Sequence, residues 1–339
     1  MTTSDDSEKA APPVSGAPSP WPGGDLAPPP EIMSLPRELV EPDRYGLWRS
    51  QKPRIALTIA GLDPSGGAGV IADLRTFDAL GIYGTAVAAT LTAQSTQGMT
   101  GRLDVATDFI TNQIHELFMD RRPYAIKTGA LGNRDTIEEI TYALKKDDYT
   151  GPLVIDPVIT SSNGEPLFDD SAVDALIKRL IPRAMLITPN TREVERLVGF
   201  EVFDAKDMEA AAVRLVSMGA HAALITGGKL TDGAKVSAAD VYCDAREIVV
   251  FQSPWIEGDT PHGTGCMISA AVTAGLAWGK SVRTSVEDAR RFVRFAIENP
   301  VLPGSGAAVA NPFAAIRLRG MGRQKGGRGA SRLHKRQSR

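Results

Sequence analysis

Short runs of apolar, often β-branched residues alternate with longer amphipathic stretches from Arg54 onward. In the short runs the apolar residues are consecutive, which is typical of strands that are buried on both faces. In the longer stretches they recur at helical spacing, which predicts helices that cover those strands. The alternation therefore predicts an α/β fold, a three-layer α/β/α sandwich with a mostly parallel central sheet.

The same pattern gives the approximate positions of the elements. The Asp244-Ala245-Arg246 interruption indicates a late antiparallel pair, Ala239–Cys243 and Ile248–Gln252, at an edge of the sheet. The other predicted strands are Ile55–Ile59, Ala86–Thr92, Ala125–Thr128, Leu153–Asp156, Met185–Thr188 and Ala222–Thr226. The predicted helices are Ala68–Leu80, Asp108–Asp120, Asp135–Lys146, Ser171–Ile181, Ala205–Met218, Gly263–Gly279 and Ser285–Asn299.

Composition separates this domain from the two ends of the chain. Of the 339 residues 42% are hydrophobic, which is enough for a substantial core, and we assign residues 54–316 to one domain. Residues 1–53 begin with a proline-rich stretch and are expected to form a largely disordered extension and linker. Residues 317–339 hold nine Lys or Arg and no acidic residue. We interpret them as a disordered, solubilising tail, in preference to a contact with nucleic acid.

Two further observations bear on where the protein acts. No basic start is followed by an apolar run, and no apolar stretch is long enough to cross a bilayer, so we expect neither a signal peptide nor a membrane span. Cys243 and Cys266 are the only cysteines and form no disulfide framework or metal-type cluster. Both features favour the reducing cytoplasm.

The segment Pro261-His262-Gly263-Thr264-Gly265-Cys266 comes directly before an apolar helix. Its glycines allow backbone N–H groups to converge on an anion, and the helix adds the positive end of its dipole. We expect this position to lower the pKa of Cys266 toward neutrality, which would let the thiol act as a base or as a nucleophile. The alternative is a tight turn with Cys266 as a small core residue.

Polar side chains follow several predicted strands, and the carboxyl ends of such strands are where α/β sheets bind ligands. Asp63 lies in a glycine-rich loop after the first strand, where it either meets a ligand or caps the next helix. Thr92 and Gln94 follow the second strand, and an amide offers a donor and an acceptor to a heterocycle edge. The Thr226-Gly227-Gly228-Lys229 turn follows the last parallel strand.

Asp156 and Glu193 come after neighbouring predicted strands. Mg²⁺ typically takes one or two carboxylates together with water and phosphate oxygens, so this pair is a candidate magnesium site. The alternative is local, because Asp156 and Asn190 are also residue types that cap helices.

Taken together, these motifs resemble the hydroxymethylpyrimidine and phosphomethylpyrimidine kinases of thiamin biosynthesis, within the ribokinase-like superfamily. The matching motifs, in the order of the family, are Leu57–Gly61 with Asp63–Gly69, Ala72–Leu74 with Thr76-Phe77, Leu91–Gln94, Ile187–Asn190 with Glu193, and His262–Cys266. The resemblance implies a ribokinase-like fold. It also implies ATP and Mg²⁺ as cofactors, and a pyrimidine alcohol and its monophosphate as substrates.

The resemblance also implies roles for individual residues. Cys266 falls where the family has its catalytic cysteine, and Gly263 and Gly265 fall in its anion hole. The substrate side would comprise Asp63, Thr92, Gln94 and Ala130; the nucleotide side Thr226, Gly228 and Thr264; and the magnesium side Asp156 and Glu193. Related kinases are commonly dimers, so a homodimer is expected.

The chain departs from the family pattern on the substrate and phosphate sides. Ala130 stands where the family usually has Met, which makes the substrate wall smaller. Ser162 and Thr226 stand where it usually has lysines, which removes positive charge from phosphate-facing loops. The segment Gly304-Ser305-Gly306-Ala307-Ala308 replaces a family Gly-His-Gly-x-Gly-Pro-Val.

Lys229, His262 and Arg192 are the candidates to compensate for the missing lysines. The departures favour phosphorylation of the free alcohol over the second phosphorylation. Two alternatives stay open: a pyridoxal or pyridoxine kinase, and a kinase-fold regulator that binds the pyrimidine with weak catalysis.

Overall fold

The computed structural model describes residues 52–160, 167–232, 235–258 and 260–314. Ser162, the basic tail 317–339 and all but the last two residues of the extension 1–53 lie outside these ranges. The division of the chain at residues 53 and 316 therefore stays a prediction. None of the helices in the described part is long and apolar enough to cross a membrane.

Nine strands of the described residues form one mixed sheet in the order β3-β2-β1-β4-β5-β6-β7-β8-β9. The run from β2 to β7 is parallel, whereas β3, β8 and β9 pair antiparallel to their neighbours. The strands are β1 Ile55–Leu62, β2 Tyr83–Ser95, β3 Gly98–Asp104, β4 Ala125–Thr128, β5 Leu153–Ile155, β6 Leu186–Ile187, β7 Ala222–Asp232, β8 Lys235–Asp244 and β9 Ile248–Pro254.

Helices cover both faces of this sheet. They are α1 Gly69–Ala79, α2 Thr107–Asp120, α3 Arg134–Lys146, α4 Asp170–Ala175, α5 Thr191–Val198, α6 Ala205–Ser217, α7 Thr264–Ala277 and α8 Val282–Glu298. Helices α2 to α6 pack on one core, which contains Leu57 and Ile59 of β1. Helices α1, α7 and α8 pack on the other, which contains Ala56 of the same strand. The predicted three-layer sandwich is therefore confirmed.

Most elements agree with the prediction within a few residues, and β4 agrees at both ends. The antiparallel pair is also where it was expected, with β9 at the edge and β8 beside it. Two elements were not predicted, β3 and α5. The predicted helix Ser171–Ile181 is interrupted, since α4 continues as a π turn over Leu176–Leu180 and a 3₁₀ turn over Ile181–Arg183.

Candidate active site

A cavity of about 320 Å³ lies beyond the carboxyl ends of the parallel strands. It brings together eleven of the twelve predicted site residues, namely Asp63, Thr92, Gln94, Ala130, Asp156, Glu193, Thr226, Gly263, Thr264, Gly265 and Cys266. Gly228 is not among its lining residues, and a Cβ at this glycine would meet the Met208 sulfur at 2.5 Å. The strand ends thus bring the predicted motifs together, as expected for an open α/β sheet.

The glycine turn before α7 forms one wall of the cavity. Gly263 has φ +85°, and a Cβ there would lie 1.8 Å from the carbonyl oxygen of Gly67, so only glycine fits. The first helical hydrogen bond runs from Met267 N to Gly263 O, at 2.9 Å. Because the first N–H groups of a helix have no acceptor within it, those of Thr264, Gly265 and Cys266 are available to an anion in the cavity.

Cys266 is half-buried at this turn and faces the cavity. Burial raises the pKa of its thiol to about 12, Lys127 opposes the rise, and Asp156 and Asp73 add to it. The sequence-based expectation of a lowered pKa is therefore wrong for the ligand-free protein. Desolvation is the largest cause of the rise, and the two nearby carboxylates add to it.

A buried network of charges lies beneath Cys266. The Lys127 ammonium donates to Asp73 Oδ1 at 2.6 Å and lies 3.5 Å from Asp156 Oδ2. Thr58 donates to the other oxygen of Asp73 at 2.6 Å, and Ser269 donates to Asp156 Oδ2 at 3.0 Å. Burial alone would lower the pKa of Lys127, but Asp73, Cys266 and Asp156 together raise it. The lysine is therefore a permanent cation between two carboxylates, and no sequence signal indicated it.

Asp156 and Glu193 are both buried at the cavity. Burial and the neighbouring Asp156 raise the pKa of Glu193 to about 8, although backbone N–H groups of Asn190 and Ile159 hold it down. Glu193 also accepts from Asn190 N at 3.0 Å while Asn190 caps α5, so the capping alternative is correct for Asn190. It is wrong for Asp156, since the next described helix, α4, is capped by Asp169.

Two close carboxylates that resist joint ionisation fit a divalent cation, which would relieve their repulsion. No group of three or more His, Cys, Asp or Glu side chains suited to a metal occurs in the described ranges. The pair would therefore need further ligands from a phosphate or from water.

Asp63, Thr92, Gln94 and His262 lie together on the side of the cavity formed by β1 and β2. Asp63 accepts from Ser65 N at 2.8 Å, Ser65 Oγ at 2.9 Å and Ala68 N at 3.0 Å, so it holds the glycine-rich loop in place. His262 Nε2 lies 3.3 Å from Asp63 Oδ2 and 3.4 Å from Gln94 Nε2. The predicted substrate side is thus one connected hydrogen-bonded group that includes His262.

The segment Gly304–Ala310 crosses from the end of β2 to the glycine turn. Ala307 N donates to Thr96 O at 2.8 Å, and Gly306 N donates to Thr96 Oγ1 at 3.1 Å. Further along, His262 N donates to Ala308 O at 2.7 Å, and Ala310 N donates to His262 O at 3.2 Å. Both backbone groups of His262 are therefore fixed by this segment.

The candidates for replacing the missing lysines differ in their placement. His262 lines the cavity, whereas Arg192 is exposed and does not line it. The side chain of Lys229 is not described. Arg102 of β3 does line the cavity, and it donates to Asp104 and to the carbonyl of Leu167. It was missed because its strand has no regular apolar alternation.

Comparison with known proteins gives a consistent picture. A family model described as phosphomethylpyrimidine kinase matches residues 63–311. A hydroxymethylpyrimidine/phosphomethylpyrimidine kinase of Bacillus subtilis is 40% identical over 260 residues, which is 76% of this chain and 94% of the relative.

Two solved structures are also similar. A phosphomethylpyrimidine kinase from Clostridium difficile has a TM-score of 0.64 and 35% identity, covering 72% of this chain and 99% of that chain. A pyridoxal kinase of B. subtilis, solved as an ADP complex, has a TM-score of 0.70 and 33% identity, covering 79% of this chain and 100% of that chain.

Proposed function

Because the chain belongs to the phosphomethylpyrimidine kinase family, we propose that it phosphorylates 4-amino-5-hydroxymethyl-2-methylpyrimidine with ATP, and then its monophosphate, in thiamin biosynthesis. The observation that carries this proposal is the position of Cys266. The thiol lies at the start of α7 in a glycine turn, and it lines the same cavity as Gln94 and Asp156. Groups for an alcohol, a phosphate and a cation therefore surround one thiol.

In the proposed mechanism, the hydroxymethyl oxygen attacks the γ-phosphorus of ATP in line. Its bond to phosphorus forms as the bond to the ADP oxygen breaks, and its proton passes to the Cys266 thiolate. The backbone N–H groups of Gly265 and its neighbours stabilise charge on the transferred phosphoryl group. A magnesium ion held by Asp156 and Glu193 would offset the charge of Asp156, one of the carboxylates that raise the pKa of Cys266, and Lys127 would then favour the thiolate.

Asp156 and Glu193 are the residues that we propose to hold the magnesium of MgATP. A bound ion would stabilise negative charge on the phosphates. We expect E193Q to raise the Mg²⁺ concentration needed for half-maximal thermal stabilisation with a non-hydrolysable ATP analogue at least about tenfold. The control is E138Q, since Glu138 pairs with Arg134 on the surface. An unchanged Mg²⁺ dependence in E193Q would show that this glutamate is only a helix cap.

The function is tested by a product-resolved kinase assay on the free alcohol, its monophosphate and pyridoxal under one set of conditions. We expect both pyrimidines to be phosphorylated, the monophosphate more slowly because Thr226 supplies no positive charge. Faster turnover of pyridoxal would favour the pyridoxal kinase alternative, which the small Ala130 wall and the similarity to pyridoxal kinases make worth testing. Binding of the pyrimidine without product would favour the regulator alternative.

We also propose that two copies of the chain associate along β3. Within the described residues this strand has no neighbour on its outer side, and such edges pair readily with another chain. Its Leu103 is 66% exposed and faces Leu91, its register partner on β2, which is 38% exposed. Light scattering should give twice the 36.1 kDa of the chain, and L103E should shift the mass to that of one chain. A wild-type monomer would refute the proposal.

A further inference from the structure

The amide of Gln94 lies between two side chains that constrain it. Its oxygen is 3.2 Å from Thr92 Oγ1, and its nitrogen is 3.4 Å from His262 Nε2. The two ends of an amide have nearly the same shape, so their identity follows from which neighbours carry protons. The protons on the neighbours of Gln94 can be assigned in this way. They favour the orientation in which the amide oxygen and nitrogen exchange places.

Thr92 has a single hydroxyl proton. Its Oγ1 lies 3.0 Å from the carbonyl oxygen of Leu62, which can only accept. With the amide nitrogen on this side, Thr92 donates its proton to Leu62 and turns a lone pair of Oγ1 toward Gln94, whereas an amide oxygen here leaves two acceptors competing for one proton. A lone pair requires an N–H from the amide, so the nitrogen of Gln94 belongs on the Thr92 side.

His262 leads to the same orientation from the other end. Its Nε2 lies 3.3 Å from Asp63 Oδ2, which is held by Ser65 and Ala68 as an acceptor. Ser65 N, Ser65 Oγ and Ala68 N all donate to Asp63, and these hydrogen bonds favour its ionised form, so the group is a carboxylate. A lone pair on Nε2 would face that carboxylate, and therefore Nε2 carries a proton. A protonated Nε2 has no lone pair that could accept from an amide N–H, so the amide oxygen of Gln94 belongs on the His262 side, where it shares this one N–H with Asp63.

We propose that His262 is a positioning residue that selects the substrate through Gln94. Together with Thr92 it holds the amide with its oxygen toward the glycine turn and its nitrogen toward Thr92. The inference rests on the proposed function and adds to it the order of donor and acceptor that the site presents.

This order of donor and acceptor on Gln94 pairs with an aminopyrimidine in only one orientation of the ring. One amide N–H and one oxygen lone pair of Gln94 remain free after Thr92 and His262 are satisfied. They pair with ring N3 and with the 4-amino group, which are adjacent on the substrate. The 5-hydroxymethyl arm is next to the 4-amino group, so it lies on the His262 side, where Gly263 leads to Cys266. The opposite amide orientation would turn that arm away from the thiol.

The structure holds His262 firmly enough for this role. Both of its backbone groups bond to the segment Gly304–Ala310, and its side chain is largely buried. Removal of the imidazole leaves Asp63 with three donors, two from Ser65 and one from Ala68. A variant without the imidazole should therefore fold without an unpaired charge.

The test compares the 4-amino alcohol with 5-hydroxymethyl-2-methylpyrimidin-4(3H)-one, in which N3 carries a proton and C4 carries a carbonyl. This analogue presents donor and acceptor in the reverse order and needs the opposite amide orientation. For the full-length wild type, we expect kcat/KM to favour the amino compound by at least about 100-fold. H262L frees the amide to rotate, and we expect the preference to fall below about tenfold.

Two further variants keep the test decisive. H262Q places an N–H beside the ionised Asp63 and should preserve the preference, whereas T92V removes the second anchor and should reduce it. The inference is wrong if H262L and T92V lower kcat/KM equally for both substrates and so leave the preference unchanged. If H262L folds poorly, an unchanged preference in T92V alone refutes the inference. If the wild type phosphorylates neither pyrimidine, the proposed function fails and the inference fails with it.

Discussion

Replacement of Cys266 by alanine is expected to lower kcat about 10²–10⁴-fold, the usual contribution of a positioned general base. The thiolate is proposed to take the hydroxymethyl proton, and alanine has no group that can accept it. The KM for the pyrimidine should change little, because Gln94 and Asp63 are unaffected. Steady-state kinetics with both substrates varied would separate the two effects.

C243A is the matched control for this prediction. Cys243 is the other cysteine of the chain and is buried in β8, where its thiol contacts the Asp244 carbonyl at 3.6 Å. It does not line the cavity, so its loss should leave kcat near the wild-type value. If C266A kept near-full activity, the assignment of Cys266 as base would have to be abandoned.

Replacement of Lys127 by methionine should have the largest effect on stability, lowering the free energy of unfolding by about 3–5 kcal/mol. The ammonium is fully buried between Asp73 and Asp156, and methionine would leave two buried carboxylates without a counter-ion. Urea denaturation at constant pH would measure the loss. The double variant D73N/K127M should regain part of it, because one of the two charges is then absent.

K280M provides the surface comparison. Lys280 pairs with Asp288 at 2.6 Å, but both side chains are more than a third exposed. Exposed ion pairs contribute at most about 1 kcal/mol, so K280M should unfold close to the wild type. Equal losses in K127M and K280M would mean that the buried network does not depend on its cation.

The parallel strands could be predicted because their burial on both faces leaves runs of consecutive apolar residues in the sequence. The run Ala125–Thr128 shows this, since its prediction and its strand coincide. Strand β3 could not be found in this way, because Gly98 and Gly101 interrupt any alternation and its pairing depends on β2. Helix α5 was not predicted because it has only eight residues. The capping box that Asn190 and Glu193 form at its start could have indicated it.

Most site residues could be predicted because they lie near or beyond strand ends that meet at one edge of the sheet, although Thr92 and Gln94 are within β2 and Thr226 is within β7. Their electrostatics could not, because these depend on residues far apart in the chain. Lys127 lies in a strand and gives no sign that Asp73 and Asp156 surround it. The pKa of Cys266 was predicted in the wrong direction for the same reason, since the helix start is visible in the sequence, whereas the burial of the thiol and the carboxylates near it are not.

The connection between Thr96 and His262 also bears on how the C-terminal segment can diverge during evolution. It is made largely by main-chain atoms of Gly306, Ala307, Ala308 and Ala310. Most side chains there can therefore be substituted without breaking these hydrogen bonds. The two glycines are different: a Cβ at Gly304 would lie 2.4 Å from Thr96 Oγ1, and one at Gly306 would lie 2.1 Å from Thr96 O. A Gly-x-Gly spacing is therefore what selection can retain in this segment.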